Sequence, residues 1–146
     1  MVRKLVTGLS LLLLATAVVP AGEPEITRSF VGASHCGQCH PQVLAAWKRG
    51  PHARANSRLP EANRTDPRCL RCHGTSDAAT GGVQCESCHG PGRIYARRHV
   101  MKDRVLSRLV GLRDAELDHC SRCHTETGPR IQPFLPQEAW KKITHP

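Results

Sequence analysis

The chain has 146 residues, a formal net charge of +9, eight cysteines and nine histidines. Its aromatic side chains amount to 3% and are Phe30, Trp47, Tyr95, Phe134 and Trp140. That excludes a domain held together by an ordinary core of large apolar side chains, so something other than the polypeptide must supply the interior.

Residues 1–22 read as a secretory signal, with Arg3 and Lys4 ahead of the apolar run from Leu5 to Val19 and small residues at Val19 and Ala21. Cleavage is expected after Ala21 or Gly22. The apolar run falls short of the roughly 20 residues needed to cross a bilayer, so no stable membrane anchor is expected after cleavage. Residues 23–146 then form a single domain, with no long linker or low-complexity stretch. Expected regular structure is sparse and helical. Pro41 to Arg49 has a proline at its first turn and stops at Gly50-Pro51, and Arg93 to Val110 has the residue types of the longest helix. Asp114 to Cys120 reads as a short helix and Pro136 to Ile143 as a last one. Turns are expected at Gly81-Gly82, Gly90-Pro91-Gly92 and Gly128-Pro129, and no segment alternates as a strand would.

Four Cys-x-x-Cys-His pentads use every cysteine: Cys36, Cys39 and His40; Cys69, Cys72 and His73; Cys85, Cys88 and His89; Cys120, Cys123 and His124. This is the attachment signature of c-type haem. Cysteines three apart on a helical turn point to the same side and can form thioethers with both vinyl groups of one porphyrin, and the next residue reaches the iron. A zinc cage does not require the histidine beside each pair, a disulfide framework leaves the four histidines without a role, and a thioredoxin-like motif would need a βαβ setting. The expected cofactor is four covalent haems c, which would be the missing interior. Only eleven residues separate the second and third pentads, so their haems are expected to be neighbours.

Apart from Met1 the chain has one methionine, Met101, so His/Met ligation is impossible for at least three of four irons. His35, His52, His99, His119 and His145 lie outside the proximal positions. Bis-histidine coordination and low potentials are the natural outcome. His52 follows a Gly-Pro turn and is placed to reach a haem other than its own, His99 lies in the expected long helix, and His145 follows the fourth pentad; these three are the expected distal ligands. His35 and His119 each precede a haem-binding cysteine and could ligate a neighbouring haem or sit at its edge. Trp47 and Trp140 are expected against porphyrin faces or edges. Loss of Arg3 and Lys4 leaves +7 on the polypeptide, and haem propionates bring a four-haem assembly to about +3 oxidised and about −1 reduced, which argues against nucleic acid as partner.

The stretch from Cys36 to Ala55, with Trp47 and then Pro51-His52-Ala53, and the string from Gly82 through Cys85, Cys88 and His89 to Gly92 resemble the cytochrome c-554 family of multihaem cytochromes. The resemblance implies that His52 and His99 are distal ligands, that haems pack in stacked and near-perpendicular pairs, and that the haem at His73 corresponds to one with an open distal side. In the family's type member electrons arrive from hydroxylamine oxidation, and this chain is markedly shorter, mainly after the fourth pentad. The fold expected is mainly α with little regular structure, short helices and loops wrapped around four haems. The function expected is single-electron transfer between redox partner proteins in the periplasm, with no catalytic residue required. The alternative is a small nitrogen-oxide reductase working at one open iron.

Overall fold

The computed structural model describes residues 29–75, 81–125, 134–143 and 145, so the expected signal at 1–22 and the expected turn at Gly128-Pro129 lie outside the described residues. Seven short α-helices and four 3₁₀ turns are joined by loops, with no strand among the described residues. The chain is mainly α, as expected. Helix α1 (Ala33–Cys36) is entered from Gly32, and α2 (Pro41–Arg49) starts with its proline in the first turn. Three 3₁₀ turns (His52–Arg54, Asn56–Arg58, Glu61–Asn63) lead to α3 (Pro67–His73), where the Asp66 carboxylate accepts from the Arg68 N–H at 2.9 Å and Pro67 opens the helix. Helix α4 (Glu86–His89) follows the third attachment cysteine pair's first member.

The expected long helix from Arg93 to Val110 is not formed. Turns occupy residues 93–97, and two short helices follow, α5 (Arg98–Met101) and α6 (Arg104–Leu109). Asp103 is the reason for the second break: its side chain accepts from the N–H groups of Val105 (3.0 Å) and Leu106 (2.9 Å), which starts a new helix there. Nearer the start, the Tyr95 hydroxyl donates to the Gly90 carbonyl at 2.7 Å and holds the turn. The expected helix at Asp114 to Cys120 is replaced by a 3₁₀ turn from Leu117 to Arg122, capped reciprocally by Glu116 and His119. Helix α7 (Pro136–Ile143) has the expected bounds.

Buried apolar side chains among the described residues are only Ala33, Tyr95 and Val100, whereas Thr75, Gln84, Glu86 and Ser107 are buried and polar. The interior that the polypeptide itself makes is therefore a hydrogen-bonded hub centred on residues 82–86. The Glu86 carboxylate accepts from the N–H groups of Val31 (2.9 Å), Gly32 (2.8 Å) and Gly92 (2.6 Å). Gln84 accepts from the Ala33 N–H at 2.8 Å through Oε1 and donates to the Gly81 carbonyl at 2.7 Å through Nε2. Its own N–H donates to Thr75 Oγ1, which also pairs with Ser87 Oγ at 2.7 Å. The Val83 N–H donates to the His52 carbonyl at 2.9 Å, and the Val83 carbonyl accepts from Trp47 Nε1 at 2.9 Å. Every buried side-chain nitrogen and oxygen among the described residues has a partner.

Gly82 shows why a side chain is not tolerated in this hub. Its φ is +79°, and a Cβ there would lie 2.5 Å from the His52 carbonyl oxygen and 2.6 Å from that of Ala53. Gly81 also has positive φ (+55°), but nothing lies within 4 Å of the Cβ position. Gly82→Ala is therefore expected to cost roughly 3 kcal/mol or more, from backbone strain together with a clash against backbone, and Gly81→Ala about 1 to 2 kcal/mol, from strain alone. Denaturant unfolding of the native protein followed by circular dichroism checks the difference; equal losses would remove the steric account of Gly82.

Candidate haem-binding site

All four pentads take the same local shape, a single helical turn. Cys36 ends α1 and His40 caps α2; Cys69, Cys72 and His73 lie within α3; Cys85 caps α4, which carries Cys88 and His89; Cys120 lies in the last 3₁₀ turn and His124 follows it. The N–H of the histidine reaches back to the carbonyl of the first cysteine at 3.0 Å in the first pentad, 3.0 Å in the third and 2.9 Å in the fourth. That closure sets the two sulfurs on one side of the turn with the imidazole following, the arrangement that two thioethers and one axial bond to the same porphyrin require.

Two imidazoles are already oriented for a metal. His73 Nδ1 lies 2.8 Å from the Ala55 carbonyl and His89 Nδ1 lies 3.0 Å from the Arg113 carbonyl. A carbonyl can only accept, so the proton sits on Nδ1 and the Nε2 lone pair is free to bind iron. The eight cysteines are unpaired thiols, and none is fully buried. No three His, Cys, Asp or Glu side chains converge on one point among the described residues, so the tetrahedral zinc cage finds no counterpart there. The residues present fit covalent haem.

The thiols of different pentads approach one another. Cys36 hydrogen-bonds Cys85; that contact, with burial after it, pushes the Cys36 thiol up, and the same contact draws Cys85 down to about 7 against the opposing effect of burial. Burial and then a hydrogen bond donated to Cys72 push Cys123 up to about 12. Cys88 is raised by burial and next by the charge of Cys120. The first pentad thus adjoins the third, the second adjoins the fourth, and the third also adjoins the fourth. Between the second and third pentads the link is Thr75 to Ser87 and Gln84, described above.

Four of the histidine rings meet across the chain. His52 and His124 have centroids 6.3 Å apart at 45°, and His89 and His145 have centroids 5.9 Å apart at 68°. Two imidazoles bound to one metal through metal–nitrogen bonds of about 2 Å place their centroids about 6 Å apart. Burial lowers His52, His124 and His145, with the neighbouring His124 adding to the effect at His52 and His89 and His40 adding to it at His145. Neutral imidazole is the form that ligates. Among the described ring contacts, His99 has no histidine opposite it and is exposed in α5, and His35 is likewise exposed in α1. His119 is engaged as a cap, with Nδ1 3.0 Å from the Glu116 nitrogen. Trp47 is committed to the Val83 carbonyl through its indole N–H.

Two contributors were not legible in the sequence. Phe134 stacks on His124 with centroids 3.9 Å apart at 11°, and no spacing rule links it to the fourth pentad. Glu86 occupies one of the two variable positions of the third pentad, where side chains are ordinarily free to vary; its isolation as the only acid in any of the four pentads was the available signal.

Comparison with known proteins agrees with this geometry. Residues 35–90 match the family described as cytochrome c554 and c-prime. The chain is 31% identical over 98 residues to cytochrome c-554 of Nitrosomonas europaea, an alignment covering 48% of this chain and 42% of that protein. The chain thus spans less than half the length of that relative. No solved structure matches it. No helix among the described residues is long and apolar enough to cross a membrane.

The Phe134 stack generates a local expectation. Phe134→Ala removes an aromatic pair worth about 1 kcal/mol and should leave the His89 and His145 contact untouched. Comparing the thermal midpoints and histidine resonances of the two proteins tests this, and a disturbance at His89 equal to that at His124 would contradict it.

Proposed function

We propose that the chain, which belongs to the cytochrome c-554 family, is an exported tetrahaem electron carrier passing single electrons between a donor and an acceptor protein in the periplasm. The observation that carries the reading is the recurrence of one helical-turn geometry at four Cys-x-x-Cys-His sites within a chain whose own buried apolar side chains number three among the described residues. At each site both thiols add across porphyrin vinyl groups, so that sulfur–carbon bonds form and no atoms are lost. When bound, the haems would supply one-electron redox chemistry between the donor and the acceptor protein.

The chain's own residues provide attachment, ligation and order. Cys36 and Cys39, Cys69 and Cys72, Cys85 and Cys88, and Cys120 and Cys123 are the tethers; His40, His73, His89 and His124 are the proximal ligands. His52 together with His124 would hold one iron and His145 together with His89 another, supported by the ring separations near 6 Å. His99 is the remaining distal candidate, for the haem of His40. The family resemblance implies an open distal side at the haem of His73. Close approach of Cys36 to Cys85 and of Cys72 to Cys123 supports pairing of the first haem with the third and the second with the fourth, joined through the third and fourth. Bis-histidine ligation keeps the potentials of the paired sites low. Residues 1–22 are the export signal, because haem attachment of this kind takes place outside the bacterial cytoplasm.

Mass spectrometry of the mature protein should return four haems on one polypeptide beginning near residue 23. Spectra of the oxidised protein should show mostly low-spin iron, and His52→Ala should convert one further iron to a form that binds carbon monoxide when reduced. A colourless folded product, or a His52→Ala protein with unchanged gas binding, would reject the cofactor and the ligand assignment respectively. Reduction of a nitrogen oxide at a rate exceeding electron delivery by the wild type would favour the reductase instead.

A further inference from the structure

The inter-pentad contacts differ in the charge beside them. Where Cys36 meets Cys85, the neighbour is Glu86, 2% exposed and held by the N–H groups of Val31, Gly32 and Gly92. Val31 and Gly32 lead directly into α1, which ends on Cys36, and Glu86 follows Cys85 in the chain. The carboxylate therefore sits between the tethers of two different haems. Where Cys123 approaches the second pentad, its sulfur donates at 3.6 Å to the carbonyl of Arg71, the cationic residue between Cys69 and Cys72. The fourth pentad carries a cation at the same position, Arg122 between Cys120 and Cys123. Along the order first, third, fourth, second, the neighbouring charge thus changes from negative to positive.

We propose that Glu86 and Arg71 impose a potential gradient on the haem chain, with the buried carboxylate holding the first and third haems at the low-potential end. Electrons then run from that pair to the second and fourth haems. The inference rests on the four-haem reading above. Reduction adds one electron to a ferric haem, and a nearby anion opposes that addition whereas a nearby cation favours it. A unit charge at about 10 Å in an effective dielectric of about 20 changes such an equilibrium by roughly tenfold. Arg71 is exposed, so its contribution is smaller and weakened by salt; Glu86 is buried and is not screened in this way. Both are positioning residues for potential, and neither touches the reacting iron.

The test is a spectropotentiometric titration of the mature holoprotein whose haem count has first been fixed by mass spectrometry. Glu86→Gln should raise two of the four one-electron waves by about tenfold in equilibrium constant, about 59 mV each. Glu86→Asp, which keeps the charge, should leave them near their wild-type values. Arg71→Gln should lower two waves by less, and the shift should fade in high salt. Unmoved waves in Glu86→Gln, an equal rise in Glu86→Asp, or a rise in Arg71→Gln overturns the gradient. Because Arg71 is exposed, its variant decides the question if Glu86→Gln does not accumulate, absence of a downward shift being the negative result. A wild-type protein with fewer than four haems would count against the four-haem reading, whereas four haems with unmoved waves would count against the gradient alone.

Discussion

A buried carboxylate is the costliest group in this small fold, and the rest of the described structure is arranged to satisfy it. An ionised side chain removed from water costs several kcal/mol unless it is fully hydrogen-bonded. Glu86 meets that demand with three backbone N–H groups from two places in the chain, the lead into α1 and the turn at Gly92. Gly92 cannot carry a side chain, since a Cβ would lie 2.9 Å from the carboxylate oxygen and 2.9 Å from Val31. Each charge-assisted bond contributes roughly 1.5 to 3 kcal/mol, so this one residue fixes where the first pentad stands relative to the third.

The same hub places the more distant parts. Val83 grips the His52 carbonyl with its N–H and the Trp47 indole with its carbonyl, which pins the end of α2 and the turn after it. His52 is thereby carried away from His40 and toward His124. Thr75, two residues past His73, is tied to Gln84 and Ser87, so the second pentad is registered against the third. Five consecutive residues, 82–86, thus set the relations among all four attachment turns through polar contacts, in a molecule with too few large apolar side chains to do so by packing.

The attachment chemistry was legible because covalent tethering imposes a rigid spacing that no other ligand demands, and the short helices α2 and α7 were legible from proline and glycine punctuation. The segment from Arg93 to Val110 was misread for a definite reason. Its residues have good helical propensity, but Asp103 offers its carboxylate to the next turn and Tyr95 reaches back to Gly90, and local side-chain hydrogen bonds of this kind defeat summed propensity. Turn type at Leu117–Arg122 depends on the reciprocal Glu116 and His119 cap, a role of His119 that competes with haem ligation. Phe134 and His145 come to the pentads from the far end of the chain, and contacts across such separations leave no mark in local pattern.

The scarcity of buried apolar side chains bears on biogenesis. A polypeptide that hides only Ala33, Tyr95 and Val100 among its described residues gives up little hydrophobic free energy by staying extended. On the proposed function, such a chain would be exported extended and would gain its order only as haem is attached. Each thioether would then commit another turn of chain, so that maturation would run as a sequence of irreversible stitches in place of a reversible collapse.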